Sequence, residues 1–325
     1  MDALPVDEKT ELDFASENPG HMHACGHDLH TAMLLGAASL LKRHEHELDG
    51  QVILMFQPGE ETADGAKAML DAGILDPKPD VALAIHIAGF EEHPTGVVAI
   101  GLGPVFASRD EFVVSITGKG GHGAEPHDAK NPIYGAVKVI EALTDMMTYE
   151  KDASIPGVLT VCQIASGSAA NIIPETCSFS GTLRMTDEAK RQSILSRMKT
   201  IVDFVCQAYG LEGNLAIRSS LPMLINDDHF SRQLHTWLKD QLQGTVIAPL
   251  ERYLSMGSDD FALIADRVPS VYLHVISQSP QGRHYPGHHE KVEFDDEAIP
   301  FGSAVYATAA LNYLSKTQQK EEDQQ

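Results

Sequence analysis

Residues 21–30 read HMHACGHDLH, with four histidines, one cysteine and one aspartate in ten positions. Further along stand Glu60 and Glu61 in QPGEET, His86 in AIHI, and His288 and His289 in PGHHEKVEF. Thiolate, imidazole and carboxylate donors together suit zinc or another first-row divalent ion rather than calcium or magnesium. Cys25 and His27 flank a glycine immediately before a predicted helix, whose positive dipole end lowers a thiol pKa. Singly, each residue has a plainer explanation. A buried cysteine packs, adjacent glutamates face solvent, and a histidine at a strand end satisfies a hydrogen bond. Jointly, they fall where predicted elements end, and that convergence points to a metal site.

The elements that must position them follow from periodicity. Leu29, Met33, Leu34, Ala37, Leu40 and Leu41 recur at helical steps directly after the cluster. QVILMFQ (51–57) reads as a buried strand bounded by Gly50 and Pro58, ADGAKAMLDAG as a short helix ending at Gly73, and DVALAIHI (80–87) as a second buried strand. Helix, strand, helix, strand in this order predicts an α/β domain with an open, mostly parallel sheet. Ligands gather beyond the carboxyl ends of such strands, where Glu60, Glu61 and His86 fall. From about residue 107 to 221 the order becomes strand, helix, strand, strand, helix, strand. That is the ferredoxin-like α+β pattern, inserted between residues 1–106 and 222–325 of the first domain. The polar tail SKTQQKEEDQQ is expected to fray.

Composition excludes several function classes. Of 325 residues, 46 are Asp or Glu and 24 Lys or Arg, a formal net charge of −22. Such a surface repels nucleic acid and anionic membranes, whose phosphates need cationic partners. No apolar run approaches the roughly 20 residues of a membrane span. The acidic start lacks the basic and apolar regions of a secretory signal. Four cysteines in so long a chain form no disulfide framework, so a reducing cytoplasm is the expected compartment.

The blocks MDALP, NPGHMHACGHDLHTAMLLGAA, QPGEET, GAKAML, AIHI, GKGGHGAEPH, GSAANIIPE, GTLR, GSDDFA and HHEKVEFDDEAIPFG occur in this order along essentially the whole chain. Together they resemble the amidohydrolase branch of the aminoacylase/carboxypeptidase metallopeptidase family. That branch includes hippurate hydrolases, N-acyl-amino-acid deacetylases and auxin-conjugate hydrolases. The MHACGHD block is highly specific, whereas GTLR alone is not.

The resemblance implies two divalent metal ions per subunit, manganese or zinc with cobalt or nickel as alternatives. Cys25, His27, Glu61, His86 and His288 match the ligands, with Cys25 as the bridge. His288 is preferred to His289 because the first histidine of that block is the ligand in relatives. Glu60 matches the general base and Asp2 the residue that orients ligands behind the site. His122 matches the residue a partner's lid domain brings to the oxyanion. Asn171 and Arg184 match groups that hold the substrate's amide region and carboxylate. The implied reaction is hydrolysis of a small-molecule N-acyl (acetyl- or benzoyl-type) amino acid by a two-metal-activated water. The implied assembly is a homodimer through the inserted domain.

Alternative readings are a dipeptidase or carboxypeptidase of the same family and a catalytically impaired metal-binding dimer module. The last arises because relatives carry further residues ahead of MDALP, which usually supply a helix and early strands. Without them, unpaired sheet edges and a mobile Asp2 are expected. His21, His23 and His30 match no ligand in relatives; one helical turn from His27, His30 is open to a supporting role behind the ligands, with packing the expected one. Cys162, Cys177 and Cys206 are expected to be buried thiols, Trp237 a core residue, and His44 and His46 part of a solvated face.

Overall fold

Leu29, Met33, Ala37 and Leu41 form the buried face of the first helix, α1 (His27–Arg43), at the four-residue steps of an amphipathic stripe. The computed structural model describes residues 2–89 and 93–315. The tail expected to fray lies outside the described residues beyond Ser315. The chain divides into two compact units. One takes in residues up to Val105, Ile225–Tyr253 and the chain from Leu263 onward, and the other Phe106–Leu224 with Leu254–Ala262.

The first unit continues with α2 (Gly65–Asp71), β1 (Ala82–Ala88), β2 (Val98–Ile100) and β3 (Gly103–Phe106). The second contains β4 (Arg109–Thr117), β5 (Gly121–His122), α3 (Pro132–Tyr149), β6 (Gly157–Ser166), β7 (Ile172–Ile173), β8 (Thr176–Met185), α4 (Glu188–Ala208) and β9 (Glu212–Leu221). The chain then runs through β10 (Leu224–Asn226), α5 (Asp228–Gln241), the single turn α6 (Ala262–Ala265), β11 (Ser270–Ile276) and α7 (Ala298–Tyr313). No described helix is long and apolar enough to cross a membrane.

In the first unit the sheet order is β1-β11-β2, with β1 parallel and β2 antiparallel to β11. The sheet is therefore mixed. Val271, Leu273 and Val275 of β11 are fully buried, and Phe230, Leu234 and Trp237 of α5 join the same core. Helices α1 and α7 approach closely: a Cβ on Gly302 would meet Met33 Sδ at 2.2 Å, and Ser303 Oγ donates to the Met33 carbonyl at 2.9 Å.

Strand β1 is held on both sides. Ala82 N–H donates to Pro269 O, and Ser277 N–H to Ala88 O, so the even-numbered residues of β1 face β11. On the other side, Ile85 N–H donates to Tyr306 Oη at 3.0 Å and Ile87 N–H to His30 Nε2 at 2.9 Å. This arrangement corrects the expected strand at 51–57. That segment forms no strand, and Val52, Ile53 and Leu54 are exposed. An apolar run becomes a strand only where a neighbouring backbone completes its ladder. The outer N–H groups of β1 at Ile85 and Ile87 are already taken by side chains.

In the second unit the sheet order is β6-β8-β4-β9, antiparallel throughout, with β5 and β7 as a separate ribbon. This is the ferredoxin-like arrangement. Helices α3 and α4 bury Val139, Leu143, Met146, Ile194, Met198 and Val202 in the core that holds Phe112, Phe179 and Leu183 of the sheet. Cys177 and Cys206 are buried in that core, but Cys162 is exposed. Cys162 falls on the outward phase of β6 with Val158 and Thr160, while Leu159 and Val161 turn toward the core, and the register with β8 slips just beyond Val161. Leu254–Ala262 groups with this unit, although the sequence places it with the first; Ala107 N–H donates to Ser255 O at 3.0 Å.

One buried ion pair ties α4 to the sheet. Arg191, 5% exposed, forks onto Asp110, 0% exposed, with Nε–Oδ2 2.7 Å and Nη2–Oδ1 2.8 Å. Burial by itself would lower the Arg191 pKa, but the bonds to Asp110 and Glu188 more than reverse this and raise it. Breaking such a pair strands a charge away from water. Arg191→Met should destabilise the protein by about 3–5 kcal/mol in urea unfolding. Adding Asp110→Asn should restore part of the loss, because no lone carboxylate then remains. Equal stability of Arg191→Met and wild type would count against the pair.

Candidate metal and catalytic site

Gly26 caps the N-terminus of α1 in the left-handed conformation, φ 73°. A Cβ there would meet Ile87 Cδ1 at 2.0 Å, so only glycine permits both the turn and the contact. The turn presents Cys25 and His27 at the C-terminal end of β1, which carries His86. Cys25 Sγ lies 3.5 Å from His86 Nε2.

Each of these imidazoles has its other nitrogen occupied. His27 Nδ1 lies 2.5 Å from Asp2 Oδ1, and His86 Nδ1 lies 2.5 Å from the Ile87 carbonyl. Carboxylate and carbonyl oxygens only accept, so both rings carry their proton on Nδ1 and turn the Nε2 lone pair into the site. Asp2 also accepts the Glu61 N–H at 2.9 Å through Oδ2. Burial tends to raise the Asp2 carboxyl, but bonds from Glu61 N–H and His27 draw it below its ordinary value. Asp2 is pinned rather than mobile, because Leu4 and Met22 exchange backbone bonds at 2.9 and 3.1 Å and His23 Nδ1 lies 2.9 Å from the Asp2 carbonyl. Asp2 touches His27 and Glu61, so its contacts are those of a positioning residue.

Glu60 and Glu61 lie in a turn closed by the Gly59 carbonyl, which accepts the N–H groups of Asp64 at 3.3 Å and Gly65 at 3.0 Å. Glu60 Oε2 lies 3.9 Å from His27 Nε2. Glu61 Oε1 is buried with no hydrogen-bond partner, an acceptor that a cation would compensate. His288 Nε2 lies 3.5 Å from it. His288 takes a positive φ of 69°, and its N–H donates to the Ala24 carbonyl at 2.8 Å, which fastens the HHEK loop beside Cys25. His289 has other work: Nδ1 accepts the Lys291 N–H at 3.1 Å and its ring stacks on Tyr285 at 4.5 Å.

The donor atoms fall into overlapping groups, each within 4.8 Å: Cys25, His27 and His86; Cys25, Glu61 and His288; and His27, Glu60 and Glu61. Cys25 belongs to the first two. A soft thiolate, neutral imidazoles and carboxylates around an uncompensated acceptor fit a first-row divalent cation.

His122, Asn171 and Arg184 lie in the second unit. His122, in β5, is exposed, and its Nδ1 accepts the Ala124 N–H at 3.0 Å. That leaves the neutral ring's proton on Nε2. The Asn171 carbonyl accepts the Gly123 N–H at 2.9 Å, so the His122 and Asn171 loops are joined. Arg184, in β8, is half-buried, and its Nη1 is buried without a partner.

The sequence reading assigned His30 to packing, and the structure gives it more. Its ring is half-buried, 4.4 Å from that of His86 and 5.2 Å from that of His27. Its place one helical turn after His27 was the available signal. Other readings agree with the structure: Trp237 is core, and His44 and His46 are exposed.

The α/β fold and this donor set suit metal-assisted hydrolysis, and the chain's family makes it a metal-dependent hydrolase acting on amide bonds. The chain belongs to peptidase family M20/M25/M40, matched over residues 1–312. It is 32% identical to thermostable carboxypeptidase 1 of Saccharolobus solfataricus, over 97% of this chain and 79% of that protein. It is 33% identical to the N-acetyl-L-cysteine deacetylase of Bacillus subtilis, over 98% of this chain and 74% of that protein. Among solved structures, Bacillus subtilis YXEP, a dinuclear metal binding peptidase, superposes with a TM-score of 0.79 at 30% identity, over 96% of this chain and 79% of that one.

Three half-buried imidazoles set an acid limit on the metal-free fold. Burial pushes His86 down to about 4 and His274 to about 3, and holds His30 well below its ordinary value. Unfolded histidines titrate near ~6.5, so below that pH the unfolded chain binds more protons and stability falls. The contribution is complete above pH ~6.5 and is lost as the pH drops toward about 4. Thermal melts of the metal-free protein should show a flat midpoint from pH ~7 to 8 and a steep decline below ~6.5. Constant midpoints across the acid range would contradict rings held neutral in the fold.

Proposed function

We propose that the protein hydrolyses N-acyl amino acids to the free acid and the amino acid, at a two-cation centre held by Cys25, His27, Glu61, His86 and His288. The observation that carries this reading is the sharing of Cys25 by two donor groups, each with its ligand atoms within 4.8 Å. Bound there, a pair of divalent cations, manganese or zinc, would polarise the amide carbonyl and lower the pKa of the attacking water. Similarity to an N-acetyl-L-cysteine deacetylase supports the acyl-amino-acid class.

The chain's own groups divide the remaining work. Glu61 is committed as a ligand, which leaves its neighbour Glu60 to take the proton from the attacking water and return it to the leaving nitrogen. Asp2 holds the His27 ring and the Glu61 backbone in place. His122, with its proton on Nε2, is a donor for the oxyanion of the tetrahedral intermediate. Asn171 holds the amide region, and the Arg184 guanidinium forks onto the substrate carboxylate. In this reading the second unit is a lid through which two copies pair, and His122 serves the site of the partner subunit.

Similarity to a carboxypeptidase keeps a second reading open, in which the acyl group is an amino acid and the bond a peptide. A panel of N-acetyl and N-benzoyl amino acids and dipeptides, with manganese, zinc, cobalt or nickel restored after chelation, separates the two. Preference for the N-acyl compounds is the expected result. A folded protein inactive with every metal would favour a non-catalytic metal-binding module. Glu60→Gln should keep its metal and lose about 10²–10⁴-fold in kcat, read by metal analysis alongside hydrolysis. Full activity in that variant would remove Glu60 as the base.

A further inference from the structure

His30 occupies the turn of α1 that follows His27, with its ring enclosed by those of His27 and His86. Its Nε2 accepts the Ile87 N–H at 2.9 Å. The same residue's carbonyl lies 2.5 Å from His86 Nδ1. Ile87 thus has both backbone groups engaged, one by each histidine, on the side of β1 that does not face β11. The bonds run in series. His30 Nε2 holds the Ile87 N–H, the Ile87 carbonyl holds His86 Nδ1, and His86 Nε2 is left facing Cys25 Sγ at 3.5 Å.

Packing alone does not account for this arrangement. An apolar side chain of similar volume would fill the space beside His86, but it would leave the Ile87 N–H without an acceptor. The donor would be orphaned on the residue that sets the tautomer of His86. The same ring bears on His27, so one side chain constrains two of the three members of the first donor group.

We infer that His30 is a positioning residue of the metal centre, which fixes Ile87 so that the Nε2 lone pairs of His86 and His27 converge with the Cys25 thiolate. The inference rests on the reading of Cys25, His27 and His86 as ligands. It assigns His30 no contact with substrate or metal.

The test compares His30→Leu and His30→Met, which cannot supply the acceptor in kind, with His30→Gln, whose side-chain carbonyl can accept the Ile87 N–H. Cobalt(II) added to the full chain is the probe, read by the thiolate-to-cobalt absorption band and by titration of affinity. Circular dichroism and thermal melts select the variants that fold. His30→Leu should bind cobalt about 10- to 100-fold more weakly, the range for lost partners of metal-bound histidines, with a shifted or weakened thiolate band. His30→Gln should recover most of the affinity and the band. Should the leucine variant not fold, the unbranched methionine variant is the comparison. Wild-type affinity and spectrum in the folded apolar variant would overturn the inference, as would a glutamine variant no better than the apolar one. A His86→Ala control separates the two levels. If wild type binds no cobalt, or His86→Ala binds it unchanged, the ligand reading fails and the inference fails with it. If His86→Ala loses cobalt while His30→Leu does not, only the role of His30 fails.

Discussion

The contact between Gly26 and Ile87 is the constraint on which the candidate site depends. The N-terminus of α1 meets the end of β1 so closely that there is no room for a side chain at residue 26. Cys25 and His27 therefore sit against the strand that carries His86, and all three reach one volume. On one side of β1 the Ile87 backbone then engages two histidines, His30 through its N–H and His86 through its carbonyl. A looser docking of helix on strand would leave each donor in place along the chain while separating their ligand atoms. Close-packed interiors transmit such displacements instead of absorbing them.

A second level of order concerns protons. A histidine can hold a cation only through a nitrogen without a proton, and the nitrogen that carries it is set by the partner of the other nitrogen. Asp2 makes that choice for His27 and the Ile87 carbonyl makes it for His86. Burial keeps His86 neutral, because a charged imidazole there would be desolvated without compensation. His289 contrasts with these residues. Its Nδ1 accepts a backbone N–H and its ring stacks on Tyr285, so it shapes the loop that lifts His288 into a positive-φ conformation.

Much of this was legible in the sequence, for identifiable reasons. The helical stripe of Leu29, Met33, Ala37 and Leu41 and the alternation through β8 are local signals that their environments reinforce. The segment 51–57 has an equally apolar sequence and forms no strand, because a ladder is a property of two backbones. Cys162 sits in an apolar stretch yet is exposed, because only one face of β6 is covered by helices and Cys162 shares the other with Val158 and Thr160. Leu254–Ala262 groups with the second unit, an assignment that depends on pairing with Phe106 and Ala107 far away in sequence. His30 looked like packing because the N–H it serves lies 57 positions along the chain.

By itself, the sequence determined the inventory of donors, the glycine between Cys25 and His27, the two element patterns and the resemblance that joins them. Those are properties of residue type and short-range spacing. Tertiary structure alone decided which nitrogen of each ring is free, that Glu61 Oε1 is buried without a hydrogen-bond partner, and that Asp2 is held in place. Each of these depends on groups brought within about 3–5 Å across long stretches of chain, where hydrogen-bond and coordination energies take effect. Local spacing carries no information at that range.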